Sequence, residues 1–587
     1  MSIIINFFLF FFYTIFLYSF VWGYGTLLKN KINLNFGEIG IFGFIIIYLI
    51  TLFINFFYPI DFIVIYTVKL FGFLLFLKNF YLIKLLKKNI IKKFFVIFLI
   101  FFLCSLTNTL HDDFYWYHLP SINYIHENKI IFGLASLNDQ LGYGQGFFYL
   151  STIFLDPFLK QNFIYHPSII ILSFFLMYML ENIKIDNFIE NKILSYFIIS
   201  LIFLKFTRFK EYGLDIFLFS LIGLISYYLI IFYKTQKIEY FYKSIIIFTF
   251  AIFIKQYALV IIFYMFYYIY ILKKKIFLFF RENLIIFLFF CILILSFSKN
   301  FIQTGCLLYP IPFTCTNSEQ IDWAISEDVA KKRFNHLQAY AKGIKMEANK
   351  SKDYSLTAEK YLQDRKYTFF QNVIIDKDVE KISIIIVLSL ILKFVIFKGF
   401  IVKKKLNYNY KNIIILSITI LIPYFLWLWE SPSIRFGGYM YTIFLLFIFL
   451  FFIPLQKNIF FIKFKRFNIF ICLIISVFIF KNINRILEES KKKENFPIQK
   501  IIEFEKTINN KFVIPINISQ HQYFCGNLPT PCSPSANINS VKEIKKNGSY
   551  LFIYPNRKDH ISKIDKELTD IMFNIKKFSP LYDFKKK

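Results

Sequence analysis

Long apolar runs, each close to the length of a bilayer crossing and set off by lysine-rich breaks, dominate this 587-residue chain. A crossing helix needs about 20 apolar residues. Runs of that order occupy 3–22, 39–58, 60–77, 94–108, 163–180, 193–207 and 213–233. They continue at 276–298, 382–400, 413–429, 438–455 and 467–480, with a longer run at 244–272. A soluble chain of this size covers two or three apolar cores with a charged shell. Here 57% of residues are hydrophobic, 22% aromatic and only 18% charged. Soluble globular, disordered and fibrous classes are therefore excluded, and the expected fold is an all-α polytopic membrane protein with about 14 transmembrane helices.

The charge balance sets an orientation. Lys plus Arg is 68 and Asp plus Glu is 37, so the formal charge is 68 − 37 = +31. Basic clusters at 84–93, 273–275, 403–405 and 457–466 lie between apolar runs, as the positive-inside rule and anionic lipid dictate for cytoplasmic loops. No recognition module accompanies this charge, so nucleic acid is not an expected partner. With 84–93 inside, 111–145 falls outside, 181–192 inside, 208–215 outside and 234–243 inside. To bring 273–275 back inside, the run 244–272 must cross twice, turning near Lys255-Gln256, its one strongly polar point. Residues 299–381 and 430–437 are then outside, as is the tail from 481. The segment 147–159, short and ending in Asp156-Pro157, reads as interfacial or re-entrant. The N-terminal run lacks a basic leader and a small-residue cleavage site, and is expected to span rather than be removed.

Three parts follow: extra N-terminal helices (1–91), a transmembrane core (92–480) with outer loops 109–146, 208–215, 299–381 and 430–437, and an extracytoplasmic module (481–587). Helical patterning marks 321–338 and 356–370, and strand-like runs at 511–518 and 550–554 predict a small α/β tail. Cys306 with Cys315 and Cys525 with Cys532 form two close pairs in outer segments, where disulfides persist. Cys104, Cys291 and Cys472 lie in apolar runs and read as packing residues. No internal repeat, Gly-rich nucleotide loop or Walker lysine is visible.

Chemistry concentrates in His111-Asp112-Asp113-Phe114-Tyr115-Trp116-Tyr117-His118-Leu119-Pro120, directly after the run 94–108. Adjacent carboxylates at a membrane edge raise each other's pKa and are costly to desolvate. Such a pair suits cation binding or proton removal, against the plainer reading of a solvated acidic turn with an aromatic belt. Tyr115 and Trp116 suit the headgroup level or stacking on a sugar ring. Glu211 and Asp215, four apart, share a face if helical. Arg435 suits bidentate phosphate binding or a salt bridge to Glu430. Lys255, deep in apolar sequence, suits phosphate contact or snorkelling. His111, His118 and His126 are a weak zinc pattern, and His118 equally suits a hydrogen bond within its loop.

A large outer loop that opens with an acidic pair just after a span resembles the GT-C superfamily of integral-membrane glycosyltransferases. More narrowly, the stretch 111–120 followed by Ile131-Phe132-Gly133-Leu134-Ala135 and Leu141-Gly142-Tyr143 is similar to a bacterial GT-C-like group of unassigned substrate. Further matches are the stretch 208–215, Leu308-Tyr309-Pro310 and Ser431-Pro432-Ser433-Ile434-Arg435-Phe436. The resemblance implies a GT-C-like core in a bacterial inner membrane and inverting sugar transfer from a polyprenyl-phosphate donor to a glycan, lipid or protein on the outer face. It implies Asp112 or Asp113 as the base, with His118, Glu211, Asp215, Lys255, Arg435, Tyr115 and Trp116 binding substrate. A divalent cation is left open as cofactor. The Trp-Trp-Asp signature of oligosaccharyltransferases is absent, which disfavours en bloc N-linked transfer. The competing expectations are a lipid-linked saccharide transporter or flippase, which calls for charges within spans and pseudo-symmetric halves, and a non-catalytic membrane scaffold displaying the tail.

Overall fold

A computed structural model describes residues 2–84, 88–107, 113–159, 161–185, 189–206, 210, 213–273, 277, 282–316, 321–344, 357–364, 410–430, 460–492 and 496–498. In the tail it describes 506–509, 512–515, 530, 532, 542–546 and 549–553. Helices of eight residues or more are α1 (Ser2–Ile32), α2 (Phe36–Phe57), α3 (Phe62–Lys78), α4 (Lys88–Ser105), α5 (Leu119–Glu127), α6 (Gly146–Ile153), α7 (His166–Ile185) and α8 (Ile189–Lys205). They continue with α9 (Leu214–Thr235), α10 (Ile238–Ile254), α11 (Ile262–Leu272), α12 (Asn283–Thr304), α13 (Glu327–Ala341), α14 (Tyr410–Glu430) and α15 (Phe460–Lys492). The expected runs 382–400 and 438–455 lie outside the described residues.

Among the described residues five helices are long and apolar enough to cross a membrane, within α1, α2, α7, α9 and α12. Their surfaces carry the same message. On α3, Ile63, Tyr66, Leu70, Leu74 and Leu77 are 40–76% exposed at helical spacing, and on α12 so are Phe287, Phe290 and Ile294. An outward stripe of large apolar side chains is stable against hydrocarbon and costly against water. The chain is therefore predominantly helical and membrane-associated.

Hydrophobic residues of α1–α12, α14 and α15 form one continuous core, with α1–α3 woven into it, while α13 packs into separate small clusters. Tyr18 and Ser173 share a 2.5 Å hydrogen bond, and Tyr48 and Ser296 one of 2.7 Å. Glycine lets α1 and α2 approach closely: a Cβ on Gly43 would stand 2.0 Å from the Val21 carbonyl oxygen, the close backbone contact that membrane helix pairs favour. A capping box begins α2, with Asn35 accepting from the Glu38 amide and the Glu38 side chain accepting from the Asn35 amide.

Polar staples sit at defined depths. At one end of the bundle Lys243 on α10 bridges Glu38 and Glu239 at 3.0 Å each, and Tyr228 on α9 donates to Glu38 at 2.5 Å. The segment after α6 is anchored inside: Lys69 donates to the Leu155 carbonyl at 2.8 Å, and Tyr66 to Asp156 at 3.0 Å. Asp156 also accepts the Phe158 and Leu159 amides. Pairing of this kind is what buried ionisable groups need in an apolar medium.

The run 244–272 is broken at Lys255, whose extended backbone (φ −157°, ψ 126°) ends α10. A 3-10 turn, Gln256–Ile261, leads into α11. Lys299, expected to open the outer loop 299–381, instead lies fully buried in α12, because that helix continues to Thr304 and stops at Gly305, whose φ of +79° suits glycine. Beyond it Cys306 and Cys315 are disulfide-bonded. In the tail two antiparallel hairpins are described, Lys506–Asn509 with Phe512–Pro515 and Lys542–Lys546 with Ser549–Ile553. Cys532 is disulfide-bonded, and its expected partner Cys525 lies outside the described residues.

Candidate functional site

At the bundle end opposite the Glu38–Lys243 staple, segments distant in sequence come together. Asp113 is half-buried and precedes a π-helical turn, Phe114–His118. Its carbonyl accepts the Tyr117 and His118 amides at 3.2 and 3.3 Å. Two residues of the expected motif, His111 and Asp112, lie outside the described residues, as do Glu211 and Arg435 and the side chain of Trp116.

Tyr115 is only 3% exposed and packs edge-on against Phe114, ring centroids 4.9 Å apart. The expectation of an open aromatic platform is corrected at this residue, since the turn folds its ring into the core. His118 is also buried: its Nδ1 and the Tyr165 hydroxyl share a 2.7 Å hydrogen bond, and its ring packs on Phe148. His126 turns elsewhere, pairing through Nδ1 with the Ile60 carbonyl at 2.8 Å. Among the described residues no three His, Cys, Asp or Glu side chains converge as a metal site would require.

Asp215 and Lys255 do meet. Asp215 stands in the first turn of α9, just after Gly213, whose positive φ of 51° turns the chain into the helix. Its carboxylate forms a salt bridge with the Lys255 ammonium. The two side chains are 5% and 12% exposed, so each charge is compensated where water is scarce. The Lys255 ammonium also lies 5.9 Å from the Tyr257 ring centroid. Next to it, the Gln256 amide donates to the carbonyl of Tyr309.

Tyr143 links this pair to the first loop. Its phenol is pushed up by burial; the Arg333 guanidinium opposes that, while the Asp139 and Asp113 carboxylates and the Tyr257 phenol reinforce it. Asp113, Tyr143 and Tyr257 thus share one electrostatic neighbourhood. The Tyr143 ring stacks on Tyr309 with centroids 6.2 Å apart. Gly142 makes this possible, because a Cβ there would meet Ala135 at 2.6 Å, Thr304 at 3.0 Å and Tyr309 at 3.2 Å.

Sequence reasoning missed the pair beneath Tyr143. Asp139 and Arg333, 2% and 1% exposed, form a buried salt bridge between the 3-10 turn Asp139–Tyr143 and α13. A signal existed: Val329, Ala330, Arg333 and His336 lie on the buried face of α13, and a cation on the apolar phase of a helix needs a partner. His336 beside it is lowered to about 3, by burial first and by Arg333 second.

The arrangement holds a half-buried carboxylate, two phenols and a compensated ammonium at one rim. It suits proton removal and anion binding next to an apolar wall. A family model described as "Domain of unknown function (DUF8201)" matches residues 4–442, and the chain belongs to that family. No curated protein and no solved structure matches.

Proposed function

We propose that this family member is an integral-membrane glycosyltransferase that moves a sugar from a polyprenyl-phosphate donor onto a surface glycan, lipid or protein. The observation that carries this reading is the gathering of Asp113, Tyr143, Tyr257 and the Asp215–Lys255 pair at one rim of a membrane helix bundle. A polyprenyl donor cannot leave the bilayer, so the groups that act on it must stand at such a rim.

In this reading the rim faces outward from a bacterial cytoplasmic membrane, about 14 helices cross the bilayer, and the tail is an extracytoplasmic module. Asp113 or Asp112 takes the proton of the acceptor hydroxyl. That oxygen bonds to the anomeric carbon as the carbon–phosphate oxygen bond breaks, with inversion. The electron pair leaves on the lipid phosphate, whose charge cations such as Arg435 and Lys255 offset. In this reading Glu211 positions the acceptor and His118 supports the acidic turn. The salt bridge to Asp215 fixes the position of the Lys255 ammonium at the rim.

Comparison of surface glycans from cells with the intact gene and cells carrying Asp112→Asn plus Asp113→Asn tests this. The reading expects one glycan, lipid or protein to lose a sugar while the variant chain still accumulates in the membrane. An unchanged surface would contradict it.

A further inference from the structure

Behind the 139–145 turn lies a cleft between α2, α5, α6 and α12 with both polar and apolar walls. Lys299 lines it at 0% exposure. Its ammonium donates to the Gly144 carbonyl at 2.5 Å and lies 5.5 Å from the Tyr149 ring centroid. Among the described residues no carboxylate stands within ion-pair distance of it. This contrasts with Lys243, Lys255 and Arg333, each of which has an acidic partner.

The walls add donors. Tyr149 is 2% exposed, and its hydroxyl has no hydrogen-bond partner among the described residues. Half-buried Lys129, buried Gln303, Ser121, Asn55 and Gln145 add to the polar lining. A buried cation with spare N–H bonds, beside an unused O–H and a second cation, has the donor set of an oxyanion site. An uncompensated buried charge is costly, and an incoming anion would relieve that cost.

We infer that this cleft binds a phosphate-class oxyanion, held by Lys299 and Tyr149 with Lys129 at its mouth. The chemistry is shared by free phosphate and by the phosphate of an anionic lipid. The inference is independent of the transferase reading, because it uses none of the rim residues.

Thermal unfolding of the full-length protein in a neutral detergent tests it. One arm titrates inorganic phosphate against chloride at matched ionic strength, and the other titrates phosphatidylglycerol against phosphatidylcholine. A midpoint rise with phosphate assigns a soluble oxyanion, and a rise with phosphatidylglycerol alone assigns a lipid headgroup. In either case Lys299→Met is expected to weaken the apparent affinity at least about tenfold and Tyr149→Phe several-fold, the loss of one charged and one neutral hydrogen bond. Lys299→Arg is expected to keep the response. If Lys299→Met does not fold, Tyr149→Phe and Lys129→Met decide. No midpoint change in the wild type with either source, or wild-type affinity in these variants, would overturn the inference.

Discussion

The Lys255 ammonium and the Asp215 carboxylate form a salt bridge across 40 residues of sequence, tying the break after α10 to the first turn of α9. Removing one partner strands the other charge in an apolar place. Asp215→Asn is therefore expected to cost on the order of 3 kcal/mol, and Asp215→Asn with Lys255→Met to recover most of it. Thermal unfolding of the four proteins in the cycle measures this. A loss in the double variant equal to the sum of the two single losses would show that the pair is not coupled.

His336 gives the chain a pH-dependent stability. The folded value lies at about 3, against roughly 6.5 for an unperturbed histidine. Between those values the unfolded chain binds a proton that the folded chain does not, so stability falls as pH drops below about 6.5. At pH 5 the histidine contributes a loss of about 2 kcal/mol relative to pH 8. Unfolding midpoints of wild type and His336→Gln at the two pH values are expected to show a steeper acid loss in the wild type. Parallel profiles would remove His336 as the source.

Close approach of α1 to α2 depends on Gly43. A leucine side chain there would drive into the Val21 carbonyl, 2.0 Å from even a Cβ. Gly43→Leu is expected to lose about 1–3 kcal/mol through overpacking, read as a lower unfolding midpoint and lower yield from membranes. Gly43→Ala should lie between the two.

A short stretch of the tail is latched onto α5. Tyr124 donates to the Cys532 carbonyl and accepts its amide, both at 3.0 Å, while Glu127 accepts from the Thr530 amide at 2.9 Å. Each such bond is worth about 1 kcal/mol. Tyr124→Phe with Glu127→Gln is expected to speed protease cleavage near residue 530 while the bundle's unfolding midpoint stays close to wild type. An unchanged cleavage rate would mean the latch lies elsewhere.

Much of the bundle was legible because its signals are local. Uninterrupted apolar runs mark helices without any tertiary information. The lysine inside the run 244–272 marks a break, and Lys255 is where α10 ends. Asp215 and Lys255 were both singled out in the sequence, but their pairing was not, since nothing in spacing reports a contact across two helices. Asp139 and Arg333 escaped because each sits in an ordinary polar stretch, and only the packing of α13 against the first loop makes them buried. Lys299 escaped for the opposite reason. It reads as the first residue of a loop, but Gly305 rather than Lys299 stops the helix, which leaves the ammonium inside. Tyr115 read as an exposed aromatic because the π-helical turn that buries it has no sequence signature.

The central claim is that a carboxylate of the first loop removes a proton from a sugar acceptor at the membrane rim. Its most direct test is the rate of sugar transfer from a polyprenyl-phosphate donor in membranes containing wild type, Asp113→Asn, Asp112→Asn or the double variant, matched for folded protein. The account predicts a fall of about 10²–10⁴-fold in at least one single variant and in the double, with unfolding midpoints unchanged. Wild-type transfer rates in all three variants would contradict it.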